Sequence, residues 1–329
     1  MLQRIHSFTR FRDLGLLVFI ILLCAAIQMR NDQFLTVGNL QNLFTNTAIL
    51  GILSVGMMLV LLSGGIDLSV GSTIAFSGMV VALTVRDFPA IHPLFLLFQG
   101  ALIGAALGAI TGILVARFSI LPIIASLGMM NIVRGLTFWI SGGAWVSAHQ
   151  MPDRFINMAT ARLIPGISNL ITIAVLVYIV FWYFINHTRT GRRIYAVGSN
   201  KEVAVISGLP VKRTITLVYV LMGFLAGLAG VLWVSRFASA QGDTATGYEL
   251  SVIAACVLGG ISVAGGRGRI GGLILGVVLF GILANALPLL LVSPFWQQAI
   301  QGFVILGAII TNVLIKRKND RAILRQRVI

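Results

Sequence analysis

Apolar runs about 20 residues long recur along the whole chain, and no other feature limits its possible folds as strongly. A helix of that length crosses the ~30 Å hydrocarbon core of a bilayer. The sequence predicts an all-α polytopic membrane protein with about ten transmembrane helices, forming one transmembrane domain over residues 1–329. The predicted spans are 14–29, 43–62, 69–86, 94–115, 119–141, 168–186, 213–235, 249–264, 270–291 and 296–315.

The charged residues are too few for a soluble protein and lie unevenly along the chain. Only 10% of residues are charged, against about a quarter in soluble domains. With the N-terminus inside, 18 of the 24 Lys and Arg fall on one side of the predicted membrane and five on the other. This asymmetry predicts that both termini, including the basic tail 316–329, are cytoplasmic. The net charge of +15 therefore indicates topology and affinity for anionic lipid, and no nucleic-acid partner is expected.

Two connections are long enough to carry a function of their own. One is the external loop 141–168, and the other is the cytoplasmic segment 187–213, which we call the coupling segment. No GxxxxGK[ST] motif for ATP and no cluster of metal ligands or catalytic side chains occurs. The sequence therefore predicts a chain that is not an enzyme and binds no cofactor itself.

Two glycine-rich motifs separate consecutive spans on the same predicted face. SGGIDLSVG (63–71) and LGGISVAGG (258–266) share four of nine positions. The similarity indicates a possible internal repeat of two halves, although two unrelated glycine hinges would look the same. The residues predicted to act as gate or hinge are Gly64, Gly65, Asp67, Ser69, Gly71, Gly259, Gly260, Gly265 and Gly266.

Asp67 is a carboxylate between two apolar runs, and three interpretations stay open. The sequence D-L-S favours capping of the third span through Asp67 or Ser69. A role in the gate or in contact with a partner subunit is the second interpretation. Proton coupling is the least supported, because we expect no other acid or histidine within the membrane.

Glycines four residues apart form a stripe on the fourth predicted span, at Gly100, Gly104, Gly108 and Gly112. Gly223 and Gly227 repeat the spacing in the seventh. Small residues at this spacing let helix backbones approach closely in lipid. Helix packing is therefore the favoured interpretation, and the lining of a pathway is the alternative.

Polar and aromatic side chains within the spans suggest a pathway for a neutral polyol. Arg134 lies near the middle of a span and either faces a cavity or satisfies backbone carbonyls at a helix break. The amide side chains suit a sugar pathway and equally suit hydrogen bonds between helices. The predicted pathway residues are Asn131, Arg134, Trp139, Asn285, Trp296, Gln297 and Gln301.

The coupling segment is predicted to contain a short helix, NKEVAVISG, that ends at Gly208 and precedes Pro210. A basic amphipathic segment on the membrane face is suited to docking a soluble partner, and anchoring to the interface is the alternative.

Four motifs together resemble the sugar-type permeases of bacterial ABC importers, a family that includes ribose, pentose, hexose and autoinducer permeases. They are SGGIDLSVGS, ASLGMMNIVRG, GRRIYAVGSNKEVAVISGLPVKR and TGYELSVIAACVLGGISVAGGRGRIGG, and the resemblance covers about residues 35–315. Ser126 of ASLG stands where a threonine is common in that family.

The resemblance implies a multi-pass subunit of the bacterial inner membrane that translocates a monosaccharide. It implies a second permease subunit, identical or related, a cytoplasmic ATPase that binds ATP and Mg²⁺, and an extracytoplasmic sugar-binding protein. A furanosyl autoinducer is the alternative substrate. An ion-coupled secondary carrier is the alternative of another class. The implied coupling residues are Asn200, Lys201, Glu202, Val203, Ala204, Ile206, Ser207 and Gly208.

Overall fold

The computed structural model describes residues 2–293 and, beyond them, positions 296, 299, 302, 303, 306, 307 and 310. Within this part, two short strands accompany the helices: β1 (Val146–Ser147) pairs antiparallel with β2 (Ser239–Ala240). The helices are α1 (Leu2–Arg30), α2 (Val37–Leu62), α3 (Val70–Asp87), α4 (Pro93–Ala116), α5 (Pro122–Ser141), α6 (Asp153–Ile156), α7 (Asn169–His187), α8 (Arg189–Ser199), α9 (Lys201–Ile206), α10 (Val211–Phe237), α11 (Tyr248–Leu258) and α12 (Ile270–Leu289).

Eight of the described helices are long and apolar enough to cross a membrane: α1 to α5, α7, α10 and α12. The predicted all-α polytopic membrane fold is therefore confirmed. Most of the tenth predicted span, 296–315, lies outside the described residues, as do Gln297, Gln301 and the tail 316–329.

Helix α2 forms the centre of the bundle. Its residues from Thr47 to Leu62 are all buried, and it packs against α7, α10, α11 and α12. The helix begins at Val37, six residues before the predicted start, because Thr36 caps it by accepting a hydrogen bond from the Asn39 N–H. The polar residues between Thr36 and Asn46 hid this first part from a hydropathy criterion.

The glycine stripe of α4 packs directly on α10. A Cβ at Gly104 would overlap the carbonyl oxygen of Gly223, and a Cβ at Gly223 would overlap that of Gly104. Gly100 and Gly227 face each other in the same way, one turn further along. The packing interpretation of the stripe is therefore confirmed, because only glycine allows the two backbones to come so close.

The eighth predicted span, 249–264, is wrong in its helical extent. Helix α11 ends at Leu258 and has 11 residues, about 16 Å at 1.5 Å per residue. Gly260, in the left-handed region at φ +77°, ends it. A Cβ at Gly259 would lie 2.6 Å from the carbonyl oxygen of Gly272. This part of the chain stays apolar past the helix end, so hydropathy alone cannot detect the stop.

An irregular segment, residues 241–247, leads from β2 down to α11. The carbonyl oxygen of Ala245 and the carboxylate of Glu249 both lie against Gly71, in the first turn of α3. Glu249 is therefore well inside the bundle. The expectation that Asp67 has no other acid within the membrane is wrong, because the chain re-enters the bundle before α11 begins.

The helix ends fall into two groups at opposite ends of the bundle. The basic end holds the 63–69 and 259–269 connections together with α8 and α9; the opposite end holds β1, β2 and α6. The predicted external loop, 141–168, is anchored there, with Phe155 fully buried. The Ser235 hydroxyl of α10 donates to the Phe155 carbonyl at 2.7 Å.

Candidate functional site

Two glycine-rich connections meet at the basic end; we call residues 63–69 hinge 1 and residues 259–269 hinge 2. The Gly266 N–H donates to the carbonyl oxygen of Leu62, the last residue of α2, at 2.9 Å. Gly265 has φ +88°, and a Cβ there would lie 3.1 Å from the Gly64 Cα. The two motifs that look alike in the sequence are thus in direct backbone contact.

Helix α8 of the coupling segment packs on both hinges. A Cβ at Gly198 would overlap the carbonyl oxygen of Leu62 and would lie 2.9 Å from the Gly266 nitrogen. The Tyr195 hydroxyl donates to the Gly268 carbonyl at 2.9 Å. The sequence did not predict α8 as a separate helix. Its amphipathic pattern, with Gly191, Ile194 and Val197 buried, was the available signal.

The helices α2 and α11 end in turns of the same type. The residues that correspond in the two turns are offset by one position from those that correspond in the alignment of the two sequence motifs. Gly64 has φ +81° and Gly260 has φ +77°. The N–H groups of Ser63, Gly64 and Gly65 donate to carbonyl oxygens that lie four, three and five residues earlier in the chain. The N–H groups of Gly259, Gly260 and Ile261 follow the same pattern. The motif alignment pairs Gly64 with Gly259. The turn is therefore repeated, while duplication of two whole halves stays a prediction.

The Asp67 carboxylate closes a turn within hinge 1. Its Oδ1 accepts bonds from the Ser69 N–H at 2.9 Å and the Ser69 hydroxyl at 2.6 Å. Ser69 is the N-cap residue of α3 but makes no side-chain capping bond. Asp67 is 3% exposed; burial raises the pKa of its carboxyl, and the two bonds from Ser69 oppose that rise. Asp67 thus orders the turn before α3 without capping the helix itself, and its gate role stays a prediction.

Helix α9 presents apolar side chains beyond the ends of the spanning helices. The Asn200 side chain caps it by accepting from the Val203 N–H at 3.0 Å, and Gly208 follows it with φ +73°. Ala204 faces the protein, whereas Ile206 is 86% exposed and Val203 56%. The predicted short helix is confirmed. The remaining predicted coupling residues, Lys201, Glu202, Ser207 and Gly208, are also exposed.

Arg134 of α5 holds the irregular segment in place. Its Nη1 donates to the carbonyl oxygens of Gly242 at 2.8 Å and Thr244 at 2.7 Å. Of the two interpretations left open by the sequence, the structure shows the second, in which Arg134 satisfies backbone carbonyls at a break. The break lies in segment 241–247 and not in α5. Contact of Arg134 with a substrate stays a prediction.

Two carboxylates that the sequence analysis did not select accompany this arginine. Glu249 and Asp243 both lie close enough to stabilise the charge of Arg134. Asp243 is exposed and Glu249 half-buried. Two acids six residues apart, the second at the first position of a predicted span, were the signal that could have found them. In the described part of the chain, no three His, Cys, Asp or Glu side chains group as a metal site.

The outer face of α5 carries small and polar residues. Asn131 is exposed and donates to the carbonyl of Leu127 in its own helix, at 2.9 Å. Gly128 and Gly135 have open space where a Cβ would be, and Trp139 is 78% exposed. These residues lie among exposed large apolar side chains such as Ile124, Ile132 and Leu136. Glycines and an amide on such a face suit contact with a partner subunit, and the pathway role of Asn131 and Trp139 stays a prediction.

Two other predicted pathway residues that the structure describes, Asn285 and Trp296, lie outside α5. Asn285 of α12 exchanges amide hydrogen bonds of 3.0 and 3.1 Å with Asn39 of α2. Hydrogen bonding between helices, the alternative left open by the sequence, therefore accounts for it. Trp296 is 64% exposed. The structure brings none of these residues to Arg134.

Residues 39–309 match the protein family described as “Branched-chain amino acid transport system / permease component”. The ribose import permease of Escherichia coli K12 is 40% identical over 298 residues, which cover 90% of this chain and 92% of that protein. The chain belongs to the sugar ABC permease family. The ribose import permease of Bacillus subtilis 168 is 38% identical over 318 residues, 97% of each chain.

A further family member, the L-arabinose ABC transporter permease of Azospirillum brasilense, is 37% identical over 308 residues, 93% of this chain and 88% of that protein. No solved structure matches this permease. The range matched by the family contains both hinges, the coupling segment and Arg134.

Proposed function

We propose that this chain is the transmembrane permease subunit of an ABC importer that carries a pentose, in the first place ribose, across the bacterial cytoplasmic membrane. The observation that carries the proposal is the 40% identity with the E. coli ribose import permease, over 90% of this chain and 92% of that one. The arabinose permease relative, 37% identical, favours pentoses as the substrate class. In this proposal the chain forms the translocation pathway and is not an enzyme.

The energy source in this proposal is a separate cytoplasmic ATPase that binds ATP and Mg²⁺ and docks on α9. Exposed apolar side chains outside the membrane, such as Ile206 at 86% exposure, are typical of a protein interaction surface. Helix α9 continues from α8, and α8 touches both hinges through Gly198. Movement of α9 by the ATPase would therefore reach the end of α2 and the start of α12 together.

The pathway in this proposal runs along the outer face of α5, beside segment 241–247. A second permease subunit, identical or related, covers that face, and a binding protein delivers the sugar at the opposite end. Sugar hydroxyls need donors and acceptors, which the exposed side chains of Asn131, Asp243 and Thr246 supply. Rocking of the two subunits about the hinges exposes this pathway to each side in turn.

The docking step is tested by Ile206→Asp, with Leu163→Asp as the matched control. Both leucine-sized side chains are more than four-fifths exposed, at 86% and 82%, but Leu163 belongs to the loop at the opposite end. We expect Ile206→Asp to abolish co-purification of an ATPase and ATP-driven uptake, and Leu163→Asp to preserve co-purification of the ATPase. Full ATPase binding and uptake by Ile206→Asp would contradict the proposal.

The substrate class is tested with proteoliposomes that contain the purified importer, its binding protein and internal ATP. Uptake of labelled ribose should be inhibited by unlabelled ribose, and uptake should stop without ATP or binding protein. Uptake of leucine in place of ribose would overturn the sugar assignment. Uptake driven by an ion gradient alone would overturn the ABC mechanism.

A further inference from the structure

A groove of about 440 Å³ runs between α2, α7 and α12 and opens on the outside of the bundle. Its floor includes Ala48 and Gly51 of α2, which are buried. Its rims are half-exposed apolar side chains: Val175 (50%) and Trp182 (50%) on α7, and Ile274 (42%) on α12. The lining is apolar except at Thr47, Tyr178 and the indole of Trp182.

The groove is longer than its lining on any one helix. Along α12 it extends from Ile270 to Val278, and along α7 from Ile171 to Trp182. Tyr178 and Val277 both lie beside Gly51, and from that level the groove continues seven residues to Ile171 and seven to Ile270, about 20 Å in all at 1.5 Å per residue, or roughly two thirds of the ~30 Å hydrocarbon core. An empty apolar groove would forfeit the dispersion contacts of its lining, and water finds polar partners there only at Thr47, Tyr178 and Trp182. An acyl chain lying along the groove restores those contacts.

Basic residues border the end of the groove that faces the basic end of the bundle. Ile270, at this end, directly follows Arg269, and exposed Arg267 lies two residues before that. On the other rim, the ring centroids of Trp182 and His187 are 5.0 Å apart, and α8 then begins with exposed Arg189. The cations therefore stand where the headgroup of a lipid in the groove would lie.

We propose that the groove binds one anionic phospholipid, with an acyl chain between α7 and α12 and the headgroup phosphate beside the arginines at 189 and 267–269. The site is distinct from the sugar pathway on α5 and does not depend on which substrate is carried. The lipid lies between the two helices that lead into α8 and out of hinge 2. Its occupancy would therefore stabilise the contact between the coupling segment and the hinges.

Native mass spectrometry of the importer, purified from native membranes in mild detergent, tests the site. We expect the unaltered protein to retain phosphatidylglycerol or cardiolipin in preference to phosphatidylethanolamine. Val175→Trp and Ile274→Trp fill the groove from either rim and should each release the lipid. Leu176→Trp is the matched control, because Leu176 is 55% exposed on α7 but does not line the groove.

The headgroup contact is tested by Arg267→Gln, with Arg117→Gln as the control from the end of α4. One arginine near an anionic surface is worth about 1 kcal/mol, so Arg267→Gln should weaken retention about fivefold. Arg117→Gln should leave retention unchanged. Equal retention in Val175→Trp and Leu176→Trp, or no preference for anionic lipid, would reduce the lipid to non-specific annular contact and overturn the proposal.

Another occupant is tested by disulfide trapping, in a background without Cys24 and Cys256. Val175→Cys should form no disulfide with cysteines placed in turn along 296–315. Efficient trapping at any of these positions would mean that the chain itself covers the groove, and the lipid site would be wrong.

Discussion

The Tyr219 hydroxyl of α10 donates a hydrogen bond of 3.1 Å to the carbonyl oxygen of Ile66 in hinge 1. Tyr219 is fully buried, and α10 begins at Val211, where the coupling segment ends. Hinge 1 is thus held at Leu62 by α8 and at Ile66 by α10. Both helices flank α9, so a force on α9 has two routes into the same hinge.

Replacement of Tyr219 by phenylalanine keeps the ring and removes the nearer donor to the Ile66 carbonyl, which leaves only the Ser126 hydroxyl at 3.5 Å. A buried carbonyl that loses its hydrogen bond costs about 1 kcal/mol or more. We therefore expect Tyr219→Phe to lower the thermal midpoint of the purified protein by about 2 °C and to slow ATP-driven uptake. Tyr183→Phe, on an exposed ring of α7, is the control. Identical midpoints and uptake rates for the two variants would contradict a role for this bond.

The contact of α8 with hinge 1 predicts a strong effect of a single methyl group. A Cβ at Gly198 would overlap the Leu62 carbonyl, whereas a Cβ at Gly271 would meet no atom within 4 Å. Overpacking of this kind costs about 1–3 kcal/mol. We expect Gly198→Ala to uncouple ATP hydrolysis from uptake and Gly271→Ala to leave both intact, as measured in proteoliposomes. Should the two variants transport equally well, the backbone contact is not part of the coupling route.

The α4–α10 interface predicts a stability effect without a direct effect on the sugar. A Cβ at Gly104 would overlap the Gly223 carbonyl, so Gly104→Ala should separate the helices and destabilise the protein by about 1–3 kcal/mol. Gly128→Ala, in open space on α5, should be neutral or slightly stabilising, because alanine favours a helix over glycine. Thermal unfolding in detergent compares the two. A Gly104→Ala variant as stable as Gly128→Ala would contradict the close-packing account.

The features that the sequence predicted well are those set by local pattern. Run length located the spanning helices, because burial in lipid demands about 20 apolar residues whatever their neighbours are. The four-residue glycine spacing predicted close helix packing on α4 and on α10, although it did not show that these two helices pack on each other. Asn200 before α9 and Gly208 after it are local start and stop signals, and the helix lies between them.

The features that sequence analysis missed depend on contacts between distant segments. Helix α11 ends where Gly260 takes a left-handed conformation and Gly259 packs on Gly272, a contact that hydropathy cannot detect. Glu249 lies inside the bundle because the preceding irregular segment folds back against α3 and α5. The role of Arg134 follows from that same fold, since its partners are 108 and 110 residues away along the chain.

Arg134 gives the clearest test of how the irregular segment 241–247 is held against α5. Arg134→Ala leaves two carbonyls without their donor and removes the positive charge beside Glu249. Each hydrogen bond to a charged group is worth about 1.5–3 kcal/mol, so the loss should reach about 3 kcal/mol. Asn131→Ala is the control, since the Asn131 amide donates to a carbonyl of its own helix. We expect Arg134→Ala to lower the thermal midpoint in the absence of sugar and to abolish uptake, while Asn131→Ala preserves the midpoint.

The same pair of measurements separates a structural from a substrate-binding role of Arg134. A structural role changes the midpoint without sugar, because the carbonyls of Gly242 and Thr244 lose their donor whether or not substrate is present. A purely substrate-binding role would leave the midpoint unchanged and raise the KM for uptake. An Arg134→Ala protein with a normal midpoint and a raised KM would therefore contradict the structural account and return Arg134 to the sugar pathway. Arg134→Lys refines the result, because its single ammonium group lacks the planar fork of arginine and should rescue only part of the lost stability.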